Sequence, residues 1–259
     1  MAESRIRRRR TPPPPPSNGQ VGLREVAERA GVAVSSASRV VAGHQDVSPR
    51  MVARVRAAIE ELGYEPNVLA QSLRRGSTMT IGILMRDISS PLFGEIVLGA
   101  EVALQEAGYS TLLTNSHGRG DVDAERIGLL RRRRVDGMLL SLADEDEPST
   151  LAELRRGTQP LVLIDRVLPE DLAASAVLSD HEGALRSSIE HLAALGHRRL
   201  GLVCGPLSLR PGRESQRAFV VACAEAGVHG IVHAGPFQTS WARSPVGLNW
   251  VQLNSPAGT

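Results

Sequence analysis

At 259 residues, with 42% hydrophobic side chains and a formal net charge of +2, the chain is long enough for a small domain and a larger one with its own core. An aromatic share of 3% makes that core aliphatic, and no run approaches the roughly twenty continuous apolar residues of a membrane-spanning helix. Cys204 and Cys223 each sit in an apolar run, and the seven histidines, His191 and His197 included, form no ligand spacing; buried thiols are the expectation, and neither a disulfide, a metal site nor a cofactor is expected.

All 30 basic residues are arginine, unevenly placed: residues 1–75 hold 13 Arg against 7 acids, and the remainder 17 Arg against 21. That polarity fits a chain whose N-terminal part neutralises phosphates. Residues 1–20 join Arg7–Arg10 to Pro12–Pro16, the composition of a disordered, partly polyproline arm. Either it is a solvated tail or it adds non-specific phosphate contacts. It has the basic residues of a signal peptide but not the apolar stretch, so a cytoplasmic, nucleoid-associated location without membrane contact is expected.

Leu23, Val26, Ala27 and Ala30 recur at helical spacing, Gly31 breaks the run, and Val34, Ala37, Val40 and Val41 begin another. Two short helices on a tight turn make a helix-turn-helix, whose second helix fits the major groove of DNA. The valines and Ala37 should face the first helix, turning Ser35, Ser36, Ser38 and Arg39 outward. Short hydroxyls let a helix approach phosphates, and Arg can donate twice to guanine. An ordinary helical hairpin with a solvated face is the rival reading. Ser48-Pro49 then caps a third helix, with Val52, Val55, Ile59 and Leu62 on one face and Gly63 at its end. The polar segment from Tyr64 to Gly76 is too short to be a stable helix unaided.

Leu23-Arg24-Glu25-Val26-Ala27, Ala30-Gly31-Val32, Ser38-Arg39-Val40, Val47-Ser48, Ala57-Ala58-Ile59, Leu62-Gly63-Tyr64, Pro66-Asn67, Ala70 and Leu73 follow one another as in the lactose-repressor (LacI/GalR) family of bacterial transcription factors, which this chain closely resembles. The resemblance implies a headpiece that dimerises on a palindromic double-stranded operator and a hinge that folds on DNA. It implies base-reading positions at Val34, Ser35 and Arg39, phosphate-contacting or capping positions at Ser36, Ser38 and Asn67, and a minor-groove wedge at Leu73. Gly22 and Ala42 depart from the family, which has a Thr or Ser cap and an Asn there.

From residue 78 strands and helices alternate: strands over 78–87, 109–115, 135–142 and 160–165, with helices over 93–107, 121–133 and 149–156. A second unit follows, with a run at 176–180, a helix over 182–195, a strand over 200–204, a helix over 214–226 and a possible strand over 231–234. This spacing gives a parallel sheet covered on both faces, with its crevice at the carboxyl ends of the strands. Val135-Asp136-Gly137, Leu163-Ile164-Asp165-Arg166 and Leu195-Gly196-His197-Arg198-Arg199 resemble landmarks of the same family's two-lobed effector domain, which is similar to periplasmic sugar-binding proteins. By that resemblance Asp87, Ser89, Ser90, Phe93, Asn115, Arg166 and Asp180 face a sugar-like small-molecule effector, although Phe93 equally suits a core position. The family's further effector Arg falls on Ser215, with Ala218 for its Gly, and Arg213 could substitute only by reaching across.

The expected architecture is therefore an all-α helix-turn-helix headpiece plus an α/β periplasmic-binding-protein-like domain of two lobes, the second incomplete. Its parts are the arm (1–20), headpiece (21–65), hinge and linker (66–77), effector and dimerisation domain (78–243) and a tail (244–259). The tail has neither period nor resemblance, as a truncated or frameshifted end would. The expected function is a dimeric DNA-binding regulator, a repressor by family habit, with a constitutive DNA binder as one rival. An α/β enzyme is the other, but Gly118-Arg119-Gly120 lacks a third glycine, and neither a phosphate loop nor a nucleophile elbow occurs.

Overall fold

The computed structural model describes residues 21–44, 46–65, 72 and 76–235, in two units divided after Gly76. The first contains helices α1 (Leu23–Ala30), α2 (Val34–Val41) and α3 (Pro49–Leu62). They close on Val26, Ala27, Ala30, Ala37, Val55 and Ala58, and four alanines among these let the helices approach closely. Gly31 takes the left-handed conformation at φ 61°, which a side chain with a Cβ would resist, and so ends α1 in time for α2. Ser48 caps α3 by accepting from the Met51 N–H at 3.4 Å, with Pro49 in the first turn. Where Gly22 caps α1 it has no side chain to offer, but its own N–H donates to Glu25 at 3.0 Å, half of a capping box.

The second unit is built on β1 (Thr80–Met85), α4 (Pro91–Glu106), β2 (Ser110–Asn115), α5 (Gly120–Arg132), β3 (Gly137–Leu140), α6 (Pro148–Arg155), β4 (Leu161–Ile164) and β5 (Ser175–Val177). Five parallel strands lie in the order β2-β1-β3-β4-β5. The period of two shows directly: Leu84 packs with Ile127 and Leu130 of α5 and Leu154 of α6, while Ile83 and Met85 meet Phe93, Ile96 and Val97 of α4 on the other face. After β5 come α7 (His181–Ala194), β6 (Arg199–Cys204), α8 (Arg210–Glu225) and β7 (His229–Ala234). Here β6 and β7 form a parallel pair, and Ile189 of α7 packs with Phe219, Ala222 and Cys223 of α8.

These elements match the sequence reading except at boundaries and in one placement: the run at 176–180, expected to begin the second α/β unit, supplies β5, which pairs in parallel with β4 and completes the first sheet. The largest shift is α8, which starts at Arg210 and not at Glu214, because Pro211 occupies the first turn, where its missing N–H costs nothing. The arm at 1–20, the hinge residues Asn67 and Leu73 and the tail at 244–259 lie outside the described residues.

Candidate functional site

On the headpiece, the exposed side of α2 is formed by Val34, 44% exposed, with Ser35 and Arg39; Ser36 is half-buried. Two expectations are corrected here. Ser38 is buried at 7% exposure rather than outward, and Val34 is outward rather than packed. Residues 34, 37, 38 and 41 lie on one helical stripe, and the packed part of that stripe begins at Ala37, so a small Ser enters the interface while the valine of the first turn stays outside it. Arg54 fixes the approach of α2 by donating from Nη2 to the Ala30 carbonyl and, at 3.0 Å, to that of Gly31. Arg39 is ion-paired with Asp46, both more than 45% exposed.

In the second unit, the carboxyl ends of β1 to β4 deliver Asp87, Asn115, Ser141 and Asp165 to one edge of the sheet. Asp87 accepts from the Ser89 hydroxyl at 2.6 Å and its N–H at 3.0 Å; the hydroxyl is the main reason its carboxyl sits below the usual range. Ser90 begins α4 without a side-chain cap bond, and Phe93 lies against Ile83, Met85 and Ile164. Asn115 meets the His117 ring at 3.1 Å. Asp180 caps α7, accepting from Gly183 N–H at 2.9 Å. Arg166 is only 2% exposed; its guanidinium donates to the Leu142 and Asp165 carbonyls at 2.9 and 2.8 Å, and burial lowers its pKa to about 10.

Sequence reasoning missed Glu145 and the use made of Asp165. Glu145, 1% exposed, accepts from the Val167 N–H at 3.2 Å, the Arg210 N–H at 2.9 Å and the Arg213 guanidinium at 2.5 Å. Asp165 accepts from the Ser179 N–H and hydroxyl at 3.1 and 2.9 Å, and from the Arg210 guanidinium at 2.7 Å, with the His181 ring at 3.2 Å. Burial alone would raise its pKa, but the Ser179 donors and His181 outweigh it and hold it low. Arg210 thus ties both carboxylates to the first turn of α8, and Arg213 reaches Glu145 while also donating to the Ser208 carbonyl at 2.8 Å. The turn before α8 is tight: a Cβ at Gly212 would stand 2.2 Å from the Pro206 carbonyl oxygen. The signal available in the sequence was the acid run 144–147 just past the end of β3.

Beneath this edge, Asp123 of α5 is fully buried, accepting from the Ala143 and Asp144 N–H groups at 2.7 and 3.4 Å. Desolvation raises its pKa to about 6 against the pull of Ser116, those amides and Arg166. Beside Ser179 a hollow of about 290 Å³ opens on Ile96, Leu139, Ile164, Val177 and Leu178. An apolar wall thus adjoins a polar cluster. Among the described residues there is no cluster of His, Cys, Asp and Glu that could hold a metal, and no helix long and apolar enough to cross a membrane.

Residues 22–67 match the bacterial regulatory proteins of the lacI family, and residues 78–241 match the periplasmic binding proteins and sugar binding domain of the LacI family. The chain is 33% identical over 207 residues to the Ribose operon repressor of Escherichia coli strain K12, covering 80% of this chain and 62% of that protein. It is 35% identical over 192 residues to the HTH-type transcriptional regulator PtxS of Pseudomonas aeruginosa, covering 74% of this chain and 56% of that one. Among solved structures, the lac repressor dimer bound to operator and the anti-inducer ONPF superposes with a TM-score of 0.76 at 25% identity, over 91% of this chain and 70% of that one. The chain spans about three fifths of the length of these curated relatives.

Proposed function

The chain belongs to the lacI family of bacterial regulatory proteins, and on that premise we propose that it is a DNA-binding transcriptional repressor that binds a palindromic operator as a homodimer in the cytoplasm. The observation that carries this reading is the order of the two matches, a headpiece over 22–67 followed by a sugar-binding domain over 78–241 in one chain. Val34, Ser35 and Arg39 read bases, Ser36 and Asn67 contact phosphates, Ser38 supports the helix from within, and Leu73 wedges the minor groove. The relatives named above are a repressor and a regulator rather than enzymes, and no catalytic role is proposed.

The effector is a small neutral carbohydrate held at the carboxyl edge of the five-stranded sheet. Asp87, Ser89, Ser90 and Asn115 offer hydroxyl-binding groups, and the apolar hollow beside Ser179 suits a sugar ring face. Arg210 and Arg213 are already neutralised by Asp165 and Glu145, which disfavours an anionic ligand. Binding shifts the balance between lobe arrangements and so changes hinge folding and operator affinity.

The test is enrichment of duplexes from a randomised pool, followed by titration with and without a panel of pentoses and hexoses. A palindromic consensus whose affinity drops on adding one sugar supports the reading. A palindrome indifferent to every ligand leaves a constitutive DNA binder, and failure to enrich any sequence rejects the regulator.

A further inference from the structure

The unit that begins at Ser77 carries more acid than base, yet one part of its surface is strongly basic. Arg131 to Arg134 close α5 and lead toward β3. Arg131 is spent on Glu153, its Nε and Nη2 donating at 3.0 and 2.8 Å. Arg132, Arg133 and Arg134 are exposed, and among the described residues none of their side chains has an ion pair or a hydrogen bond. Elsewhere in the unit Arg119, Arg155, Arg186 and Arg217 each lie on a carboxylate. Compensation of the α5 dipole explains Arg131 and Arg132, which lie in the last turn, but not Arg133 and Arg134, which lie past it.

The place of this patch is set by the chain itself. The polypeptide coming from the helix-turn-helix enters the second unit at Ser77, and its first residues are fastened beside the arginines. The Thr78 hydroxyl donates to the Arg134 carbonyl at 2.9 Å, and the Thr78 and Met79 N–H groups donate to the Asp136 carboxylate, each at 2.8 Å. Arg134 itself holds a left-handed backbone at φ 56°. Three uncompensated guanidiniums thus stand next to the point where the linker from the DNA-binding unit arrives.

We propose that Arg132, Arg133 and Arg134 form a second, sequence-independent phosphate-binding surface that engages the DNA backbone when the headpiece is bound. The proposal rests on the regulator reading above. Guanidiniums without carboxylate partners release counterions on meeting phosphate, which adds affinity and salt dependence but no base preference.

The test uses the full chain and two variants, one with all three arginines replaced by Gln and one with all three replaced by Lys. Binding to a random-sequence duplex is measured across a salt series, with thermal melting to confirm that each variant folds. The Gln variant should lower the slope of log K against log salt by about 2 to 3, at about 0.9 per phosphate contact, and weaken binding about tenfold or more at low salt. The Lys variant should keep most of the slope, since it keeps the charges. An unchanged slope in the Gln variant overturns the proposal and leaves the patch to an acidic protein partner. Weakened binding with an unchanged slope overturns it too, because that marks a structural role. Failure of the unaltered chain to bind any duplex rejects the regulator reading instead, and this proposal with it.

Discussion

The Arg39 guanidinium, on the exposed side of α2, is held by the Asp46 carboxylate. Both groups are well exposed, so the pair adds less than about 1 kcal/mol to folding. If α2 reads DNA as proposed, the consequence is for binding, since a carboxylate beside that helix repels phosphate and must release Arg39 before it can donate to a base. Asp46→Asn should therefore tighten DNA binding about two- to tenfold at low salt, with the gain shrinking as salt screens the charge. Fluorescence anisotropy on a labelled duplex reads this directly, and a variant that binds no better at low salt would count against the role given to Arg39.

Glu145 gathers three N–H donors at a nearly fully buried carboxylate. Glu145→Ala would leave the Val167 and Arg210 N–H groups unsatisfied and Arg213 without its carboxylate, a loss on the order of 3 kcal/mol. Chemical denaturation should show a lower midpoint in Glu145→Ala and a smaller loss in Glu145→Gln, which keeps one acceptor. Equal stability of all three proteins would remove the pin between α8 and the sheet edge.

Much of the fold was legible because its signals are local. Gly31 and Gly63 end helices, Ser48-Pro49 starts one, and alternating apolar runs mark the strands. The misplacements have local causes as well: the helix expected from 214 begins at Arg210 because Pro211 fits its first turn, and Ser38 was read by polarity although its helical stripe turns it inward. The carboxylate pins were not legible. Four consecutive acids at 144–147 give no sign of which one is buried, because that is decided by α8, which arrives some sixty residues later in sequence. Asp123 is hidden for the same reason, its acceptor role being set by the Ala143 and Asp144 amides.

Two carboxylates respond to pH in opposite senses. Asp123 has a folded pKa raised to about 6 from 3.8, so its contribution is fully present below about pH 4 and is lost as pH rises through 6, a cost of about 3 kcal/mol. Asp165 has a depressed pKa, so its contribution is present above the ordinary carboxylate range and is lost as pH falls below it. Asp123→Asn should raise the melting temperature at pH 8 and change it little below about pH 4, where both states of the unaltered chain hold the proton. Asp165→Asn should lower it at pH 7 and lose that deficit in acid. A uniform destabilisation by Asp123→Asn at both pH values would show that its charge carries no penalty.

The proposed homodimer needs a surface, and α4 supplies a candidate. Leu98 and Val102 lie one turn apart and are 56% and 50% exposed, and Leu113 on the neighbouring edge strand β2 is 42% exposed. Apolar side chains of this size left in water are costly, and a second copy laid against α4 would cover those of the helix. Placing two carboxylates there by Leu98→Glu and Val102→Glu should raise the dimer dissociation constant at least about a hundredfold, on the order of 3 kcal/mol. Sedimentation velocity across a micromolar series separates the outcomes. An unaltered chain that sediments as a dimer, beside a variant that sediments as a folded monomer, places the interface on α4. A dimeric variant moves the interface elsewhere, and a monomeric unaltered chain removes the symmetric partner that a palindromic operator requires.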